Sequence, residues 1–133
     1  PETSLVFAVL GLLTLVLYSL FYELTTSFNV HDEINSNNTA VGVALTGNLI
    51  AIGIVVLKSV VGDFLNWGDS LVEFATFAIL GFAVLLVMRL VVDFVVFPRV
   101  KVADELALDR NLGVAFIESA IVISSSLILF FAI

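Results

Sequence analysis

At 133 residues, 61% hydrophobic, 13% charged and with a mean hydropathy of +1.20, the chain carries more apolar surface than so short a sequence can hide from water. It has no cysteine, which excludes disulfides, thiolate metal sites, iron–sulfur clusters, a cysteine nucleophile and palmitoylation, and its single His31 excludes multi-histidine zinc sites. A net charge of −7 without a basic stripe opposes nucleic-acid binding, so the expected partner is the lipid bilayer, with no metal or cofactor.

A membrane-spanning helix needs about 20 mostly apolar residues, and four segments supply them. The first covers residues 5 to about 28 and has no charge before Glu23. No basic region precedes it, so a retained span is expected rather than a cleavable signal peptide. The polar stretch 29–38 (NVHDEINSNN) reads as a turn, and Asn38 at its end suits the N-cap of the next helix. The second span covers 39 to about 61, with Lys58 near its end. Residues 62–70 form a glycine-containing loop in which Trp67 sits where interfacial aromatics are favoured. The third span covers about 71–97, carries Arg89 and Asp93, and is stopped by Pro98. After the mixed-charge loop 98–110, Asn111 suits a second N-cap, and the fourth span runs from 111 to 133 with Glu118 inside it. The apolar runs lack the two-residue alternation of barrel strands. The fold class is therefore an all-α membrane protein with four transmembrane helices, a single domain over 1–133.

The lysine and arginine bias of short loops sets the direction of the spans. Arg99, Lys101 and Arg110 lie on the face shared by loops 29–38 and 98–110, whereas the other face has only Lys58 nearby. Loops 29–38 and 98–110 are expected in the cytoplasm and both termini outside.

The chain also resembles itself. Phe7-Ala-Val-Leu-Gly11 matches Phe77-Ala-Ile-Leu-Gly81, and on the same offset Glu23 meets Asp93 and His31 meets Lys101. After short gaps Asp32-Glu33-Ile34 meets Asp104-Glu105-Leu106, and Asn38 meets Asn111. An ordered series of this kind predicts a helical hairpin used twice, over about 5–61 and about 71–133. Two spans separate the copies, so both point the same way and form parallel tandem repeats. The copies diverge where Arg89 replaces Ser19 and Glu118 replaces Leu45.

The run Asn37-Asn-Thr-Ala40, followed by Val41-Gly-Val-Ala-Leu-Thr-Gly47, resembles the signature of the YjfL-like small bacterial inner-membrane proteins, and Asn111-Leu-Gly-Val-Ala115 resembles its second copy. That family is a domain of unknown function built from two tandem hairpins. The resemblance implies a bacterial inner-membrane location and carries over no catalytic residue.

Ionisable side chains at membrane depth are costly and mark candidate sites. Arg89 stands eight residues before Phe97 and Glu118 seven after Asn111, which puts both roughly 10–12 Å inside the boundary at 1.5 Å per residue. An Arg89–Glu118 ion pair between the third and fourth helices is expected, with Asp93 on the same face as Arg89. These three read either as a satisfied buried network or as stations on an ion or proton path. Asn48, Thr46, Ser124 and Ser125 could line such a hydrated path, although membrane serines and threonines also bond their own helix. Glu23 and Lys58 are expected to snorkel. The small residues Ala40, Ala44, Gly47 and Ala51, with Ala115 and Ser119, suit close helix packing within the monomer or between copies. No phosphate loop or catalytic triad is present. The expected function is non-enzymatic: an assembly or accessory subunit of a homo-oligomer or larger membrane complex. The alternative is a small oligomeric ion channel or ion-translocating protein.

Overall fold

A computed structural model describes residues 2–62 and 64–133. Pro1 and Asp63, the first residue of the sequence and a member of the expected loop 62–70, lie outside the described residues. The described chain is helical in six segments. They are α1 (Glu2–Leu24), α2 (Val30–Asn35), α3 (Thr39–Val60), α4 (Trp67–Val91, prolonged by a π-helical turn over Val92–Val96), α5 (Val102–Ala107) and α6 (Leu112–Ala132). α1, α3, α4 with its extension, and α6 are each long and apolar enough to cross a membrane.

Side-chain caps set most of the boundaries. Asn38 Oδ1 accepts from Val41 N (3.3 Å) to start α3, and Asn111 Oδ1 accepts from Val114 N (3.2 Å) to start α6. α4 begins four residues before the expected position 71, because Asn66 caps it. Asn66 Oδ1 accepts from Asp69 N and its amide donates to Asp69 Oδ2, both at 2.9 Å. α1 ends at Leu24, short of the expected 28. There the hydroxyls of Thr25 and Thr26 donate to the carbonyls of Phe21 and Tyr22 and close off the last turn. The stretches 29–38 and 98–110 are not plain loops, since each holds a short helix, α2 or α5. Asn29 caps α2 by accepting from Asp32 N (3.0 Å).

α3 is the centre of the bundle. Half of its most apolar stretch (50%) is buried inside the protein, against 11% for α1, so most of the α1 surface meets lipid. Its closest neighbour is α6. A Cβ built on Gly47 would come within 2.7 Å of the Ser119 Cα, so only glycine lets the two backbones approach this far. Ala40, Ala44, Gly47, Ala51, Ala115 and Ser119 are all buried, and Ser119 Oγ donates to the Val43 carbonyl across the contact (3.0 Å). A second close approach joins α4 to α3, where a Cβ on Gly81 would meet the side chains of Ile52 and Val55. α1 docks through aromatics: Phe82 of α4 lies edge-on to Tyr18 (5.0 Å between ring centres) and tilted against Phe21 (5.2 Å). At the far end of the bundle Trp67 stacks on Phe7 at 6.4 Å.

Candidate functional site

Among the described residues, a cavity opens toward each end of the bundle. The larger, about 690 Å³, lies between α1, α3 and α4 at the Trp67 end; Phe7, Gly53, Val56 and Phe74 are among its walls, and among the described residues no titratable side chain lines it. The smaller, about 210 Å³, lies at the other end, under the corner made by α5. Its walls include Tyr22, Thr25, Thr26, Arg89, Asp93 and Glu118. Among the described residues, the smaller one gathers three charged side chains, Arg89, Asp93 and Glu118, and is therefore the candidate site.

Its geometry starts from the end of α1. The hydroxyls of Thr25 and Thr26 each donate to a carbonyl of their own helix, which leaves their lone pairs free to accept. Arg89 supplies the donors: one terminal nitrogen bonds Thr25 Oγ1 at 2.7 Å and the other bonds Thr26 Oγ1 at 2.8 Å. The guanidinium lies over the Tyr22 ring, 4.2 Å from its centre, as the ring quadrupole favours. A cation at the C-terminal end of α1 also meets the negative end of that helix's dipole. Arg89 thus clamps α4 to α1.

This corrects the expected Arg89–Glu118 ion pair, which does not form among the described residues. Equal depth along antiparallel helices was the basis of that pairing, and depth leaves the rotation of each helix about its axis free. The rotation here turns the guanidinium to α1. Asp93 comes one turn later, half-buried, in the π-helical turn where Phe97 N donates to the Val92 carbonyl (2.9 Å). Single π turns inside α-helices recur at functional sites. Glu118 comes in from α6, is only 3% exposed, and its Oε2 has no hydrogen-bond donor in the protein. The three charged residues thus share one cavity without pairing directly.

Beside them lies a buried polar link between α1 and α3. The Tyr18 hydroxyl donates to Asn48 Oδ1 (3.2 Å), and the Asn48 amide donates to the Ala44 carbonyl (2.9 Å). Asn48 is buried, but the polar path expected with it does not assemble. Thr46 is exposed on the outside of the bundle and donates to the Gly42 carbonyl (2.7 Å). Ser124 is exposed and Ser125 half-buried, while Ser126 is buried with no hydrogen-bond partner. Residues two apart on a helix cannot share a face, so Thr46 and Asn48, or Ser124 and Ser126, must diverge.

Sequence reasoning passed over Tyr18, Tyr22, Thr25 and Thr26. A signal was available. The only two tyrosines of the chain stand four apart in a mostly apolar helix and so share a face, and a threonine pair stands one turn further on. Outside the cavity, Glu23 Oε2 and His31 Nδ1 meet at 2.8 Å at the exposed start of α2, and Lys58 reaches over the Phe130 ring at 5.2 Å. Among the described residues, no group of three His, Asp or Glu side chains is placed to hold a metal ion.

Four apolar spans around a small polar cavity define a multi-pass integral membrane protein. The chain belongs to the family described as Domain of Unknown Function (DUF350), which it matches over residues 2–133. It is 30% identical over 118 residues to the UPF0719 transmembrane protein YshE of Bacillus subtilis (strain 168), an alignment covering 89% of this chain and 83% of that protein. No solved structure matches it.

Proposed function

We propose that the protein is a non-enzymatic subunit of the bacterial inner membrane that assembles with copies of itself or with other membrane proteins. One observation carries this reading: Arg89, Asp93 and Glu118 are turned into a cavity of the bundle itself. A pore shared between subunits would instead need such groups on an outward face. The small-residue stripes of α3 and α6 are spent on each other, so assembly falls to the outer faces of α1 and α4. Leu12 and Ile79 stand there, 64% and 72% exposed.

The direction of insertion is part of the proposal. Arg99, Lys101 and Arg110 at the α5 corner support a cytoplasmic position for both corners and an outside position for both termini. So is the tandem origin of the two hairpins, supported by the like construction of the two corners, and with it the narrower kinship to YjfL-like proteins.

The test is photo-crosslinking from positions 12 and 79 in cell membranes, with position 44 in the α3–α6 contact as control. Adducts from 12 or 79 and none from 44 are expected. Their absence at both outer positions rejects assembly through these faces. A second reading, ion translocation, is favoured by the unpartnered Glu118 oxygen inside a polar cavity. Ion flux in proteoliposomes that disappears in Glu118→Gln would establish it in place of the first.

A further inference from the structure

Beyond the assembly reading, the cavity at the α5 end of the bundle has a charge pattern of its own. Its lining holds two carboxylates, Asp93 and Glu118, and one guanidinium, Arg89. With all three ionised the cavity carries one net negative charge at membrane depth. An uncompensated charge there is expensive, and the usual remedies are pairing, neutralisation or an ion. Pairing is not used. Arg89 spends both terminal nitrogens on the neutral hydroxyls of Thr25 and Thr26 and its face on Tyr22. It makes no ion pair with either carboxylate among the described residues. Glu118 is 3% exposed, yet Oε2 receives no hydrogen bond from the protein. A buried carboxylate oxygen normally accepts one or more.

We infer that this cavity binds one monovalent cation against the Glu118 carboxylate, with Asp93 as the supporting acid. The charge balance selects the valence. One positive unit brings the lining to neutrality, whereas a divalent ion would overshoot it beside a guanidinium. The volume of about 210 Å³ suffices for a small ion with a few waters, each water taking about 30 Å³ of liquid. Oxygen donors suited to a hard cation are present in the two carboxylates, and water in the cavity supplies the remainder. The cation is supplied either as a proton or as an alkali ion, and the groups around Glu118 are the same for both. They are Tyr18 and Tyr22 of α1, Asn48 of α3, and Arg89 and Asp93 of α4, while α5 contributes the apolar Val102 and Leu106.

The experiment uses the full chain in lipid nanodiscs, as wild type, Glu118→Gln and Asp93→Asn. Thermal unfolding is followed at constant pH and ionic strength while N-methylglucamine is replaced by sodium or potassium. In parallel, infrared spectra are scanned with pH for a protonated carboxyl band. Either of two results is expected. In one, the wild-type Tm rises saturably with sodium or potassium, Glu118→Gln abolishes the rise, and Asp93→Asn raises the half-saturating concentration about tenfold, the low end of what losing a supporting group costs. In the other, a carboxyl stays protonated at neutral pH in the wild type, and its band is absent in Glu118→Gln and present in Asp93→Asn. Glu118→Gln removes the charge at constant shape. If it still fails to fold, Asp93→Asn, at a half-exposed position, carries the alkali arm, and the wild-type spectrum decides the proton arm. The inference is overturned if Glu118 is ionised at neutral pH and no alkali ion shifts Tm. It is also overturned if the signals persist in Glu118→Gln, or if magnesium alone produces a shift. The photo-crosslinking result is independent of all these outcomes, so the two proposals fail separately.

Discussion

The corner that launches α3 and the corner that launches α6 are built from the same parts and held in different ways. In each, a short helix carries a glutamate whose carboxylate accepts from the amide of the capping asparagine: Glu33 from Asn38 at 2.9 Å, and Glu105 from Asn111 at 3.1 Å. In each, the residue before the cap takes a left-handed backbone, Asn37 at φ 63° and Arg110 at φ 51°. In each, the cap's own N–H returns to the carbonyl of that glutamate, at 2.9 Å and 2.8 Å. The second corner closes the ring with one residue more. The larger difference is reach. The Asn38 amide, 2% exposed, also donates to the Leu106 and Ala107 carbonyls at 2.9 and 3.3 Å, whereas the described bonds of Asn111 stay within its own corner. Similar motifs can therefore serve unlike ends: one corner caps a helix, and the other also ties the two corners together.

The largest expected effect tests that tie. Asn38→Ala loses a cap worth about 1 kcal/mol and strands buried acceptors at roughly 1–3 kcal/mol more. Asn111→Ala loses little beyond the cap, about 1 kcal/mol. Reversible SDS titration in mixed micelles reads both, and equal losses would break the comparison. Next comes the contact between the two helices that these corners launch. Gly47→Ala forces a methyl against the Ser119 backbone and should cost roughly 1–3 kcal/mol. Nothing lies within 4 Å of a Cβ at Gly42, so Gly42→Ala should be neutral or stabilising by up to about 1 kcal/mol. The smallest effect sharpens the likeness of the corners. Arg110→Gly should stabilise by about 1 kcal/mol, the approximate cost of a left-handed residue with a Cβ. Asn37→Gly should gain less, because asparagine tolerates that conformation. The same titration ranks the pair, and a larger gain at Asn37 would show that the two turns are strained differently.

Much of this architecture is legible in the residues. The four apolar runs announce the spans, and Asn38 and Asn111 announce two helix starts, because a capping side chain acts within three residues of itself. The short helices α2 and α5 are not legible. Each is only six residues long, with two acids among its residues, and helices so short depend on contacts such as those of buried Val30, Val102 and Leu106. At the site, the sequence marks Arg89, Asp93 and Glu118 as costly, and all three line one cavity. It does not tell which neighbour each one meets. Arg89 is long enough to reach either α6 or α1, and the choice of Thr25 and Thr26 comes from helix rotation, which hydropathy does not encode. Asn48 and Thr46 show the same limit at shorter range, being two residues apart and on opposite faces.

The π-helical turn at Val92–Val96 bears on how the corners find each other. An α-helix advances about 100° per residue, so the surplus residue held in a π turn acts as a phase shift between the chain before it and the chain after it. Arg89, before the shift, is set by its clamp on α1. Leu106 and Ala107, after it, are set by Asn38. The two sets of bonds lie on either side of the shift, and the extra residue reconciles them. Deleting one residue between 93 and 96 should leave a longer, more regular helix whose two ends can no longer both keep their partners.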